Sequence, residues 1–124
     1  MGQVVIDLEL VLDQVQGNPV LLREIAGIVL DDFPRQLGQL EEAAQRRDAE
    51  GVRQRAHQMK GAVANFGARE TVQAAQALER AGQRGEVAEF DGHVALVKLA
   101  WSKLEPELRR VVAEIDSDTF LPAR

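Results

Sequence analysis

Asp-Ala-Glu-Gly-Val-Arg-Gln-Arg-Ala-His-Gln-Met-Lys-Gly-Ala-Val-Ala-Asn-Phe-Gly, residues 48–67, is the stretch that decides how this chain folds. At about 100° per residue, Val52, Ala56, Met59, Val63 and Phe66 gather on one face of a helix. Asp48 stands where an N-cap acceptor belongs, and Gly67 where a left-handed residue ends a helix. His57, Lys60, Gly61 and Ala64 recur at spacings of three and four on the opposite face. A lone histidine on a helix surface is ordinarily a solvated residue, but Gly61 is out of place. A mid-helix glycine costs roughly 1 kcal/mol relative to alanine, and this one faces away from the apolar stripe, where packing does not require it. Lys60 lies one turn from the imidazole. Such a face suits a side chain that must be reached by something large and must carry negative charge for a time.

Outward from that helix the pattern stays helical, and no alternating strand is convincing. A short first helix is expected from Asp7 to Val15, with Leu8, Val11, Leu12 and Val15 on one side. Gly17-Asn18-Pro19 breaks the chain, and Pro19 suits the first position of a second helix running towards Arg46. Pro34 predicts a kink or local break near 30–33. A fourth helix is expected from about Arg69 to Ala81, with Val72, Ala74, Ala75 and Leu78 inward. Gly82 should close it and 83–85 should form a loop. The last helix is expected from near Glu86 to about Ile115, bent at Pro106, with Trp101 in or at the edge of the core. Residues 116–124 read as a tail that is partly ordered at best. Short connections between long amphipathic helices favour an all-α fold, an antiparallel up-and-down four-helix bundle with a short additional N-terminal helix.

The bulk numbers set limits. At 124 residues the chain is one domain, 1–124, with its core at about 7–115. Hydrophobic residues at 45% and charged residues at 28% are ordinary for a folded soluble domain. The absence of cysteine excludes thiol chemistry, disulfides and cysteine-ligated metals. A net charge of −5 argues against nucleic acid as the partner, because phosphate backbones demand a cationic surface. No stretch approaches a membrane span, and no basic-then-apolar start marks a signal peptide, so a cytoplasmic setting is expected.

His57-Gln58-Met59-Lys60-Gly61, then Ala64-Asn65-Phe66-Gly67-Ala68 and later Leu78-Glu79, resembles the histidine-containing phosphotransfer (HPt) domain family. That family carries His-x-x-Lys-Gly on a helix, a small-residue stretch ending near Asn-x-Gly-Ala, and a Leu-Glu pair about a helix later. The likeness runs from about Asp7 to about Val112. It implies that His57 is phosphorylated, that Lys60 offsets part of the added charge, and that Gly61, Ala64 and Gln58 form the surface a partner approaches. It also implies a partner, the receiver domain of a response regulator or hybrid sensor kinase, bearing a phospho-aspartate and a magnesium ion. The chain itself would need no cofactor, and a monomer is expected. On this reading the phosphoryl group passes from a receiver aspartate to His57 and on to another receiver.

The chemistry agrees with what imidazole can do. The imidazole class titrates near pH 6.5, so the neutral ring offers a lone pair without a base to activate it. Phosphoryl transfer asks mainly for alignment and charge stabilisation. No Gly-x-x-x-x-Gly-Lys run is present, nor the glycine-rich lid and Asn-rich helix of histidine kinases, so a carrier rather than an enzyme using ATP is expected. A metal-binding bundle of the di-iron type would need Glu-x-x-His pairs. Gln54 stands three residues before His57, and Phe90 three before His93, so neither pair exists. The remaining alternative is a phosphorylation-independent docking module, in which Gly61 and Ala64 simply admit a partner helix or loop.

Overall fold

Side-chain acceptors start the first three helices. The structure, a computed structural model, describes residues 5–117. Asp7 accepts from the Leu10 amide to begin α1 (Leu8–Gln14). Asn18 accepts from the Val20 and Leu21 amides ahead of α2 (Pro19–Gln45), where Pro19 needs no donor. Asp48 accepts from the Gly51 amide at 3.0 Å to begin α3 (Ala49–Ala64). Helices α4 (Arg69–Arg84) and α5 (Phe90–Asp116) follow, the latter entered through a single 3-10 turn, Val87–Glu89. No strand occurs among the described residues.

The connections are short enough to force antiparallel neighbours. Arg47 takes a left-handed φ of 56°, and the Asp48 amide reaches back to the Ala43 carbonyl at 2.9 Å, so only residues 46–48 join α2 to α3. Helix α3 packs on α2 and α4, and α5 closes the ring against both α2 and α4. The result is the four-helix bundle expected, with α1 added across one end. The Asp7 amide bonds the Phe66 carbonyl at 2.8 Å, which ties α1 to the end of α3. Gly67 is left-handed there (φ +62°), and a Cβ on it would lie 2.5 Å from that of Asp7, so both conformation and space demand glycine.

Phe33, Phe66, Phe90, Met59 and Leu78 are wholly buried, each worth roughly 1.5–3 kcal/mol of burial. Trp101 is a core residue, as expected; its ring stacks on Phe33 with centroids 4.4 Å apart. Pro34 and Pro106 do not break their helices. Both lie on exposed positions, where water can serve the carbonyl each proline leaves unbonded, and buried neighbours on either side hold the helix together. The predicted end of α4 at Gly82 is also corrected. The helix continues to Arg84 and ends at Gly85, left-handed at φ +66°, with the Glu86 amide closing onto the Ala81 carbonyl at 2.9 Å. Residues 83 and 84 are therefore helical rather than loop. Thr71, Glu79 and Ala81 join Ala75 and Leu78 on the buried side, while Val72 is half-buried. The proposed tail lies outside the described residues beyond Ser117; Asp116 ends α5 and pairs with Arg23 at 2.6 Å.

Gly82 has a packing role instead of a capping one. A Cβ there would meet the Arg53 backbone nitrogen at 2.8 Å and the Ala49 carbonyl oxygen at 2.9 Å, atoms that cannot swing away. Helices α3 and α4 thus touch backbone to backbone. Around Gly61 a Cβ meets nothing within 4 Å. Opposite outcomes are expected in urea unfolding. Gly82→Ala should lose on the order of 1–2 kcal/mol, because overpacking outweighs the helix-propensity gain. Gly61→Ala should gain up to about 1 kcal/mol. Equal effects at the two sites would contradict this account of the α3–α4 contact.

Candidate functional site

Helix α3 buries Val52, Ala56, Met59 and Val63 completely, and that packing fixes which way the rest of the helix faces. The His57 side chain is 62% exposed, standing off the bundle between α3 and α4. Gly61, Ala64 and Gln58 are exposed on the same helix, so the residues singled out as an approach surface do lie open together. Gln58 does not bond the imidazole; its Oε1 accepts a 3.4 Å contact from Arg55. Arg53 pairs with Glu50 at 2.7 Å within its own helix. His93, read as a surface residue, is half-buried, with Nδ1 lacking a hydrogen-bond partner.

Sequence reasoning assigned no role to Glu79, and this is the residue that organises the site. Its carboxylate comes from α4 with a side chain only 12% exposed. Oε2 lies 2.8 Å from His57 Nδ1, and Oε1 lies 2.7 Å from Lys60 Nζ. One carboxylate therefore bridges the two α3 residues that stand a turn apart. The signal for it was present. Ala75 and Leu78 mark the inward side of α4, and Glu79 falls next to them, so an acid there calls for a cation on a neighbouring helix.

The bridge has a chemical consequence for each partner. The Lys60 ammonium beside it, followed by the His57 bond, holds the Glu79 carboxyl below its ordinary range against the opposing effect of burial. An ionised carboxylate has no proton to give, so Nδ1 of His57 must donate. In the neutral ring the lone pair then belongs to Nε2, which has no hydrogen-bond partner among the described residues. Lys60 is drawn inward by the same carboxylate and is 26% exposed. The arrangement offers one nucleophilic nitrogen, oriented and open, with an ammonium a turn away. No group of three or more metal-ligating side chains is clustered among the described residues.

Because folding lowers the Glu79 pKa, its contribution to stability is present above the unfolded value and lost as pH falls through the folded one. Glu79→Gln should therefore unfold more easily than the parent protein at pH 7. The gap should narrow as pH drops below about 4.5, the ordinary value for the group. Urea midpoints measured at several pH values test this, and a gap independent of pH would refute it.

Comparison with known proteins bears on the fold and the family. The crystal structure of histidine-containing phosphotransfer protein B (HptB) from Pseudomonas aeruginosa PAO1 superposes with a TM-score of 0.84 at 18% identity, covering 91% of this chain and 98% of that one. It shows that the two share a fold. No match is found among curated proteins. No helix among the described residues is long and apolar enough to cross a membrane. The Hpt domain model matches residues 24–117, a span that takes in α3, α4 and the His57–Glu79–Lys60 bridge, and the chain belongs to the Hpt domain family of histidine phosphotransfer in phosphorelays.

Proposed function

We propose that His57 accepts a phosphoryl group from the aspartyl phosphate of a receiver domain and yields it to the aspartate of a second receiver. The supporting observation is the Nδ1 hydrogen bond to Glu79, which leaves Nε2 as the nucleophile facing solvent. The Nε2 lone pair attacks phosphorus, the N–P bond forms, and the P–O bond to the aspartyl carboxyl breaks. The aspartate carboxylate leaves with the electron pair, and no proton needs to move. The ring then carries substituents on both nitrogens and positive charge, which the Glu79 carboxylate stabilises while holding the Nδ1 proton. The reverse step regenerates the neutral ring and passes the group on.

Lys60 offsets the charge of the phosphoryl group, sharing its ammonium between that group and Glu79. Gly61, Ala64 and Gln58 present the low, open surface on which the receiver settles. The magnesium ion that assists the transfer belongs to the receiver, and the carrier acts as a single copy in the cytoplasm. Members of the family are phosphocarriers, and the protein fits that role without ATP chemistry of its own.

Incubation with a panel of phosphorylated receivers tests the proposal. Label should appear on the protein as phosphate that is acid-labile and base-stable. His57→Gln should abolish uptake while leaving the fold intact, since the side chain is mostly exposed. Lys60→Ala should slow transfer about tenfold, equivalent to about 1.4 kcal/mol of charge stabilisation. Wild-type labelling of His57→Gln would refute the carrier, and unchanged partner affinity and output in that variant would favour the phosphorylation-independent docking module.

A further inference from the structure

The basic residues of this chain divide by location. On α2 and α5, Arg23, Arg35, Lys98, Lys103, Arg109 and Arg110 each lie against a carboxylate. On α4, the helix that supplies Glu79 to His57, the pattern reverses. Arg69, Arg80 and Arg84 of α4 are exposed and have no carboxylate partner among the described residues. Both acids of α4 are already taken. Glu70 meets Lys103 of α5 at 2.9 Å, and Glu79 is held between His57 and Lys60. Between the arginines, Gln73, Gln76 and Gln83 continue the strip at helical spacings with uncharged amides. Residues 48–85 hold six basic and four acidic side chains in a chain whose net charge is −5.

With Glu70 and Glu79 engaged elsewhere, no acid of α4 itself cancels the positive potential of its exposed arginines. Arg80 is the immediate neighbour of Glu79, and Arg84 follows one turn later. We propose that Arg80 and Arg84 dock a carboxylate-rich face of the protein that exchanges phosphoryl with His57. This rests on the carrier reading and adds the chemistry of the partner's contact surface, on a helix that does not bear the phosphorylated residue. Opposite charge on that surface steers encounter and orients the incoming phosphoryl group at Nε2. A nucleic acid fits less well, because the remainder of the chain is acidic and would repel it.

The test uses the full chain and the receiver that transfers fastest to it. Arg80→Glu combined with Arg84→Gln removes the cations; Arg84 becomes neutral because it also complements the C-terminal end of α4. Arg109→Gln on α5 is the control. The double variant should lower the second-order transfer rate about tenfold at low salt. The deficit should largely vanish in about 0.5 M salt, where screening removes steering. Labelling of His57 by phosphoramidate, which needs no docking, should be unchanged. An unaltered receiver rate with an intact fold would overturn the inference. So would duplex DNA binding that depends on Arg80 and Arg84 without any effect on transfer. If no receiver transfers to the parent protein, the carrier reading falls and this inference falls with it.

Discussion

The contact of α4 on α3 at Gly82 sets the geometry of everything functional in this bundle. A side chain at that position would push the helices apart, since it meets the Arg53 and Ala49 backbone directly. Glu79 stands one turn before Gly82, and His57 one turn after Arg53, so the close approach brings a short carboxylate within bonding distance of the ring. Three residues that differ in chemistry then act as a unit. The carboxylate orients the imidazole, the imidazole presents its other nitrogen, and the ammonium keeps the buried carboxylate ionised. A wider helix spacing would leave Glu79 buried without partners, which the interior penalises heavily.

Much of this was legible in the residues. Helix α3 could be read from its apolar period and the Asp48 cap, although it ends at Ala64 with Asn65 as its C-cap, and Gly67 takes its left-handed conformation in the turn beyond. Its exposed face was read correctly for the same reason: when one face is wholly apolar, the other has little choice. The bundle followed from short connections between amphipathic segments. What escaped was whatever depends on a neighbouring helix. Gly82 can mean a cap or a close approach, and only the position of α3 distinguishes them. Pro34 and Pro106 break isolated helices, whereas here packing of Phe33 against Trp101 and the buried neighbours of Pro106 keep α2 and α5 continuous. The role of Glu79 required knowing that α4 lies beside His57, although its place in an apolar register already called for a cation.

Charge is arranged as deliberately as shape. The acidic total conceals a face on α3 and α4 where cations and amides dominate, next to the one exposed imidazole on α3. Most ion pairs elsewhere are solvent-exposed and contribute little to stability. The bridge at Glu79 differs, since its carboxylate is largely buried and fixes a proton at a defined atom. Local electrostatics therefore separates two tasks on this surface, holding the imidazole in one tautomer and presenting positive potential to whatever approaches it.

The central claim concerns that proton, and ring nitrogen resonances report it directly. Long-range proton–nitrogen correlation spectra of His57, recorded at alkaline pH with the ring neutral, should show Nδ1 protonated and Nε2 bare. After phosphorylation, phosphorus coupling should appear on Nε2. A spectrum with the proton on Nε2 and the lone pair on Nδ1 would contradict the account.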